Sequence, residues 1–187
     1  MISVVSKHIV NWLICSGTIE EDDNELYEYA VTCTIMNISP LLIMILLGII
    51  SGLLIESILI ILPFTFIRSY SGGYHSHSQL CCFIFSCLTL AGMLWASTRI
   101  KIGIISIIVL IVSCISLILL SPIESDSHPI SSTERLYYKK CVIKYTLIFL
   151  VIYSFLLWFG QTNFAGCIVL GLCLPACLQL LCLILRK

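Results

Sequence analysis

The sequence predicts an all-α polytopic membrane protein, with about six transmembrane helices behind an N-terminal amphipathic interfacial helix. Three observations predict it. Of the 187 residues, 59% are hydrophobic and only 11% are charged, and the mean hydropathy is +1.09. Soluble chains run nearer roughly 45–50% apolar with about 25% charged, so a soluble domain of this size could not hide that much apolar surface. The apolar residues also gather in uninterrupted runs of roughly 17 to 25, long enough to cross a hydrocarbon core as helices. Finally, the formal net charge is zero. No basic surface is left over, which argues against nucleic acid as a partner.

The chain reads as one integral membrane domain, 1–187, that opens on an amphipathic and acidic segment, 1–29. Val4, Val5, Ile9, Trp12 and Leu13 fall close to helical spacing, with Lys7, His8 and Asn11 interleaved. That pattern describes a helix lying along a membrane surface. A signal peptide is not expected, because a single Lys stands where a basic cluster belongs and no small-residue cleavage site follows. Glu20, Glu21, Asp22, Asp23, Glu25 and Glu28 then lead into the first span, where carboxylates suit the positive end of a helix dipole.

The predicted spans cover 30–49, 52–67, 80–98, 102–120, 142–159 and 164–185. The second is short and holds Pro63, which predicts a tilted, kinked or partly interfacial helix. Gly48 and Gly52 form a G-x-x-x-G pair that can pack helices, but at the junction of two spans it reads more simply as a turn. Glu56, a carboxylate within an apolar run, stands close enough to that turn to reach an interface.

Basic residues predict the orientation. With six spans and a cytoplasmic N-terminus, the inner pieces hold Lys7, Arg68, Arg135, Lys139, Lys140, Lys144, Arg186 and Lys187, and the outer pieces only Arg99 and Lys101. This bias predicts a multi-pass protein of the cell membrane with both termini cytoplasmic. The same arrangement puts two connections inside: 68–79, and a basic loop at 121–141.

The 68–79 loop and the start of the next span concentrate the polar chemistry of the chain, in the run RSYSGGYHSHSQLCC. Most of the eleven cysteines are scattered through apolar helices, in odd number, and read as packing residues rather than a disulfide framework. Cys173 and Cys177 share a helix face without a nearby His or carboxylate, which also reads as packing. Cys81 and Cys82 differ, because histidines stand near them. Cysteine attacks carbonyls as the thiolate, and a histidine that accepts its proton stabilises the anion as imidazolium.

His75 precedes Cys82 by seven residues, which on one continuous helix would separate them by about 10.5 Å along the axis. The pair can meet only if the chain turns first, and Gly72 and Gly73 permit such a turn. Cys82 then falls in or near the first turn of the third span, where the helix dipole also favours a thiolate. His77 and Cys81, four apart, are the rival pair. The residues alone leave three readings open: a nucleophilic site, a wet interfacial loop with packing cysteines, and a zinc site lacking the usual paired-ligand spacing.

Arg68, the run Gly72-Gly73-Tyr74-His75 and Cys82 resemble the signature of the accessory gene regulator B family, membrane peptidases that process quorum-sensing propeptides in Gram-positive bacteria. The resemblance covers nearly the whole chain, including ELYEYA before the first span and SPIESDSHPISSTERLYYKK between the fourth and fifth. It implies His75 as the catalytic histidine and Cys82 as the nucleophile, with Arg68, Gly72 and Gly73 as supporting positions of the motif. It implies no cofactor and no metal. The implied partner is a small propeptide with an amphipathic N-terminal helix and an acidic C-terminal tail, which Arg135, Lys139, Lys140 and Lys144 could attract. The lipid bilayer and a second copy of the chain complete the expected partners. The implied reaction cuts off that tail through a thioester acyl-enzyme, so that a thiolactone or lactone ring can close. A small transporter or peptide-export component without peptidase activity is the alternative reading of the same hydropathy.

Overall fold

The computed structural model describes residues 2–19, 23–71, 79–100, 102–123 and 131–185. Every regular element among them is a helix: α1 (Ile2–Cys15), α2 (Asn24–Ser51), α3 (Leu54–Ser71), α4 (Gln79–Ser97), α5 (Ile104–Leu120), α6 (Ser132–Trp158) and α7 (Thr162–Leu185). The apolar helices α2 to α7 occupy the stretches where spans are predicted. By length and composition, α2, α3, α6 and α7 are long and apolar enough to cross a membrane, while α4 and α5 offer shorter apolar stretches.

Helix α1 packs along α2. Ser6 and Val10 are buried there, Thr32 Oγ1 donates to Ser6 Oγ at 2.8 Å, and Lys7 pairs with Glu28 at 3.9 Å. Only a narrow face is used, so Val5, Ile9 and Trp12 stay exposed, Trp12 at 67%. Val5, Ile9 and Trp12 of the expected apolar face are therefore left uncovered by the other described residues.

Residues 48 to 57 show how the G-x-x-x-G pair is used. Gly52 adopts φ +70° just past α2, a left-handed conformation that glycine reaches without the Cβ penalty. The N–H groups of Gly52 and Leu53 donate back to the carbonyls of Ile49 and Gly48 at 3.2 and 2.7 Å, closing the helix with a reciprocal cap. Gly48 does a different job. A Cβ there would meet Ser57 Oγ at 2.5 Å, so its missing side chain lets α2 lie against α3. The turn reading is right for Gly52, and Gly48 adds a close helix contact.

Pro63 does not shorten α3, which runs unbroken through it to Ser71. Arg68 and Tyr70 are consequently helical, and the connection to α4 is shorter than the 68–79 loop expected. Similarly, α6 starts well before the predicted 142 boundary, so Arg135, Lys139 and Lys140 stand on a helix and not in a 121–141 loop. The physical reason is a local cap that hydropathy does not register. Ser131 Oγ accepts from the Glu134 N–H at 3.3 Å, and Glu134 Oε2 accepts from the Ser131 N–H at 3.0 Å. Replacing Ser131 by Ala should cost this helix start about 0.5–2 kcal/mol. Faster amide hydrogen exchange confined to the first turn of α6 is the expected readout.

Two apolar clusters share α3 and α7. One gathers Ile67 with Leu110, Leu117, Val142, Phe149 and Leu172, from α3, α5, α6 and α7. The other joins Met44, Ile60, Leu90, Leu94 and Leu174, from α2, α3, α4 and α7. The α3–α7 pair is thus the spine, and it is close at Gly171, where a Cβ would lie 2.7 Å from the carbonyl oxygen of Ile60 and collide with the Pro63 ring. Small residues that let backbones approach are a standard means of holding helices together in lipid, where apolar burial between helices gives little drive.

Candidate functional site

One end of the bundle collects the C-termini of α3, α5 and α7. Gln179, on α7, is wholly buried, and its Nε2 donates to the carbonyl of Ser71 at 3.2 Å and to Ser121 Oγ at 2.6 Å. The Ile123 N–H donates to the same Ser71 carbonyl at 3.0 Å. Ser71 ends α3 and Ser121 caps α5. The chain therefore enters the Gly72–His75 run from an anchored point.

The expected catalytic residues divide between described and undescribed parts of the chain. Gly72, Gly73 and His75, with the rival base His77, lie outside the described residues. Helix α4 begins at Gln79, so Cys82 stands in its first turn, as the spacing predicts. The side chain of Cys82 lies outside what is described. Its neighbour Cys81 is exposed. Arg68 is half-buried in the last turn of α3, one turn before Ser71.

Aromatic rings tie the end of α3 to the first half of α6. Tyr70 stacks on Tyr145 with ring centres 5.6 Å apart and meets Tyr137 and Tyr138 at 6.4 and 6.0 Å. Phe66 stacks on Tyr145 at 5.1 Å. Such ring pairs contribute about 0.5–1.5 kcal/mol each beyond area burial. They set the basic residues of α6 beside the root of the Gly72–His75 run.

Those cations are all exposed, but they do not share one face. Arg135 and Lys139 lie on or near the stripe that further along α6 carries the buried Val142, Thr146, Phe149 and Tyr153. Lys140 and Lys144 point to the opposite side of the helix, and Lys144 Nζ sits 5.9 Å from the centre of the Tyr145 ring. Sequence spacing contains this division, although it emerges only once the helix is known to start at Ser132.

The remaining candidates have structural surroundings. Cys173 and Cys177 touch at 3.7 Å between sulfurs on one face of α7, and no group of three or more metal-ligating side chains occurs among the described residues. Glu56 stands in the first turn of α3, where a carboxylate complements the helix dipole. Gln179 was not singled out by hydropathy or motif. A lone amide in an otherwise apolar span is the signal that could have drawn notice to it.

The family model described as Accessory gene regulator B matches residues 6–183. AgrB-like protein 1 of Clostridium perfringens (strain 13 / Type A) is 27% identical over 162 residues, covering 83% of this chain and 86% of that protein. AgrB-like protein 2 of the same organism is 21% identical over 164 residues, covering 83% of this chain and 75% of its own length. No solved structure matches. With the family model running from within α1 to within α7 and through the Gly72–Cys82 segment, the chain belongs to the accessory gene regulator B family.

Proposed function

We propose that this protein is a membrane-embedded cysteine endopeptidase that removes the C-terminal tail of a quorum-sensing propeptide. The observation that carries the reading is a family match running through the G-G-Y-H motif and Cys82, with Cys82 at the start of a helix. A thiolate there is favoured by the dipole and by a protonated His75.

The chemistry is acyl transfer. His75 takes the thiol proton of Cys82, and the thiolate attacks a peptide carbonyl of the propeptide. The tetrahedral intermediate collapses as the imidazolium returns its proton to the departing amine, so the tail leaves with a new N-terminus. The residue left on Cys82 is a thioester. A cysteine thiol within the substrate then gives its proton to His75 and attacks that carbonyl, Cys82 departs as thiolate, and a thiolactone closes; a serine hydroxyl would give a lactone. Exchange of one thioester for another is nearly neutral in energy, and a site that limits water disfavours hydrolysis. Backbone N–H groups at the start of α4, or Arg68, are the donors available to the oxyanion. No cofactor takes part.

The test compares Cys82→Ala with Cys81→Ala, each co-expressed with a propeptide of this class, and follows tail release by mass. Loss of release in Cys82→Ala alone supports the reading. Normal release by both variants overturns it and favours the transport or export alternative.

In the same reading both termini and the Gly72–Cys82 segment face the cytoplasm, and α1 lies on the membrane surface through Val5, Ile9 and Trp12. The α6 cations meet the acidic tail of the substrate there, and Arg135 with Lys139 matter most because they stand on the bundle side. Reversing both to Glu should raise KM for the propeptide about tenfold at low salt and flatten its salt dependence. Reversing Lys140 and Lys144 should change KM less. Unchanged cleavage by the Arg135/Lys139 variant, with topology preserved, would sink the docking role.

A further inference from the structure

The outward side of α6 changes character along its length. Leu147, Val151, Phe155 and Trp158 recur at helical spacing, and all four are exposed. They lie opposite the buried stripe of Val142, Thr146, Phe149 and Tyr153. On a helix of this hydropathy such an exposed stripe faces lipid tails. Followed toward the N-terminus of α6, the same stripe passes through Lys144, Lys140 and Tyr137, which are also exposed. These two lysines therefore stand over lipid, whereas Arg135 and Lys139 stand on the bundle side.

Depth fixes what the lysines meet. Trp158 ends α6, is 88% exposed, and is of a residue type that favours the membrane–water boundary. Trp95, near the close of α4, marks the same boundary, with the Arg99 guanidinium 5.4 Å from its ring centre. The ends of α4 and α6 share one side, because Ile100 lies against Gly166 in the first turns of α7. Lys144 and Lys140 precede Trp158 by 14 and 18 residues, which is about 21 and 27 Å along the helix axis. A hydrocarbon core is about 30 Å thick, so both lysines approach its opposite boundary. Helical side chains lean toward the N-terminus, which carries both ammonium groups further out, to the level of the phosphates. Among the described residues neither lysine pairs with a carboxylate, and Glu134, the one acidic residue of α6, is engaged at the Ser131 cap.

We propose that Lys140 and Lys144 form a binding site for an anionic phospholipid, whose phosphate lies against the two ammonium groups and whose acyl chains run along Leu147, Val151 and Phe155. Tyr137, one turn before Lys140 on the same stripe, offers its hydroxyl to the headgroup. Lys144 Nζ stays 5.9 Å from the centre of the Tyr145 ring, which keeps it on this side of the helix. A zwitterionic lipid carries its own cation and gains less from the pair, so the site selects for net negative charge. The site requires α6 to cross the bilayer, and no step of the peptidase reaction enters into it. Arg135 and Lys139 are left for the substrate.

The test titrates the full chain, in a non-ionic detergent, with phosphatidylglycerol or phosphatidylcholine and reads the first bound lipid by native mass spectrometry. A lysine at the surface contributes about fivefold, so Lys140→Gln/Lys144→Gln should raise the Kd for phosphatidylglycerol about twentyfold. The Kd for phosphatidylcholine should change little. Lys140→Arg/Lys144→Arg keeps the charge and should keep the wild-type Kd within about twofold. Arg135→Gln/Lys139→Gln removes as much charge from the other side of the helix and should also stay within about twofold. Equal losses in the two Gln variants would mean attraction to diffuse charge and would overturn the site, as would wild-type binding without preference between the lipids. Displacement of phosphatidylglycerol by excess inorganic phosphate or by hexaglutamate would overturn it too, in favour of a free anion or an acidic peptide. If Lys140→Gln/Lys144→Gln does not insert, Lys140→Gln alone decides: a fivefold rise in Kd supports the site, and an unchanged Kd defeats it.

Discussion

Replacing His75 by Gln should slow tail release by about 10²–10⁴-fold, the usual contribution of a positioned general base. Replacing Cys82 by Ser should be at least as damaging. A serine hydroxyl holds its proton far more tightly than a thiol, and any acyl-enzyme it formed would be an ester, a poorer donor for ring closure than a thioester. The two substitutions should not combine multiplicatively, because base and nucleophile act as a unit. The decisive measurement is single-turnover cleavage in membranes, with insertion checked by protease protection. A His75→Gln protein that cleaves at the wild-type rate would remove the base from the mechanism. Should His77→Gln abolish cleavage instead, the base would be reassigned to the rival pair with Cys81.

The second large effect is expected at the spine of the bundle. Gly171→Leu should destabilise the protein by about 1–3 kcal/mol, the cost of forcing extra atoms into a packed contact. The argument lies in what the new side chain meets. At 2.7 Å from the Cβ position stands the backbone carbonyl of Ile60, which cannot turn aside as a side-chain end could, and the Pro63 ring blocks the other direction. The α3 and α7 axes must separate, and both apolar clusters lose packing because each draws on both helices. Gly92→Ala is the matched control, since a Cβ there meets nothing within 4 Å. Its midpoint should stay level or rise slightly, as alanine is the better helix former. Equal midpoints for Gly171→Leu and wild type in a detergent unfolding titration would mean that α3 and α7 are not in close contact.

Membrane class, helix type and the order of the apolar stretches were legible in the sequence. They depend on local quantities: run length, charge density and the 3.6-residue period of a helix. The place of Cys82 along the chain was legible too, because the helix that carries it starts after a polar lead-in that marks its N-terminus. Hydropathy could not find where α3 ends and where α6 begins. Polar residues such as Arg68, Tyr70 and Arg135 stay helical once rings from Phe66 to Tyr145 pack them and Ser131 and Glu134 cap the start.

The G-x-x-x-G pair shows the same division on a small scale. A turn at Gly52 follows from composition, while the contact of Gly48 with Ser57 requires two helices to be brought together. By itself, the sequence determined an all-helical membrane chain and the residues of a family motif, since both are written in neighbours along the chain. Only the tertiary structure decided that Gly171 is a backbone contact and that Gln179 reaches Ser71 and Ser121. Those contacts join residues far apart in the chain, and they become visible only once the helices are packed together.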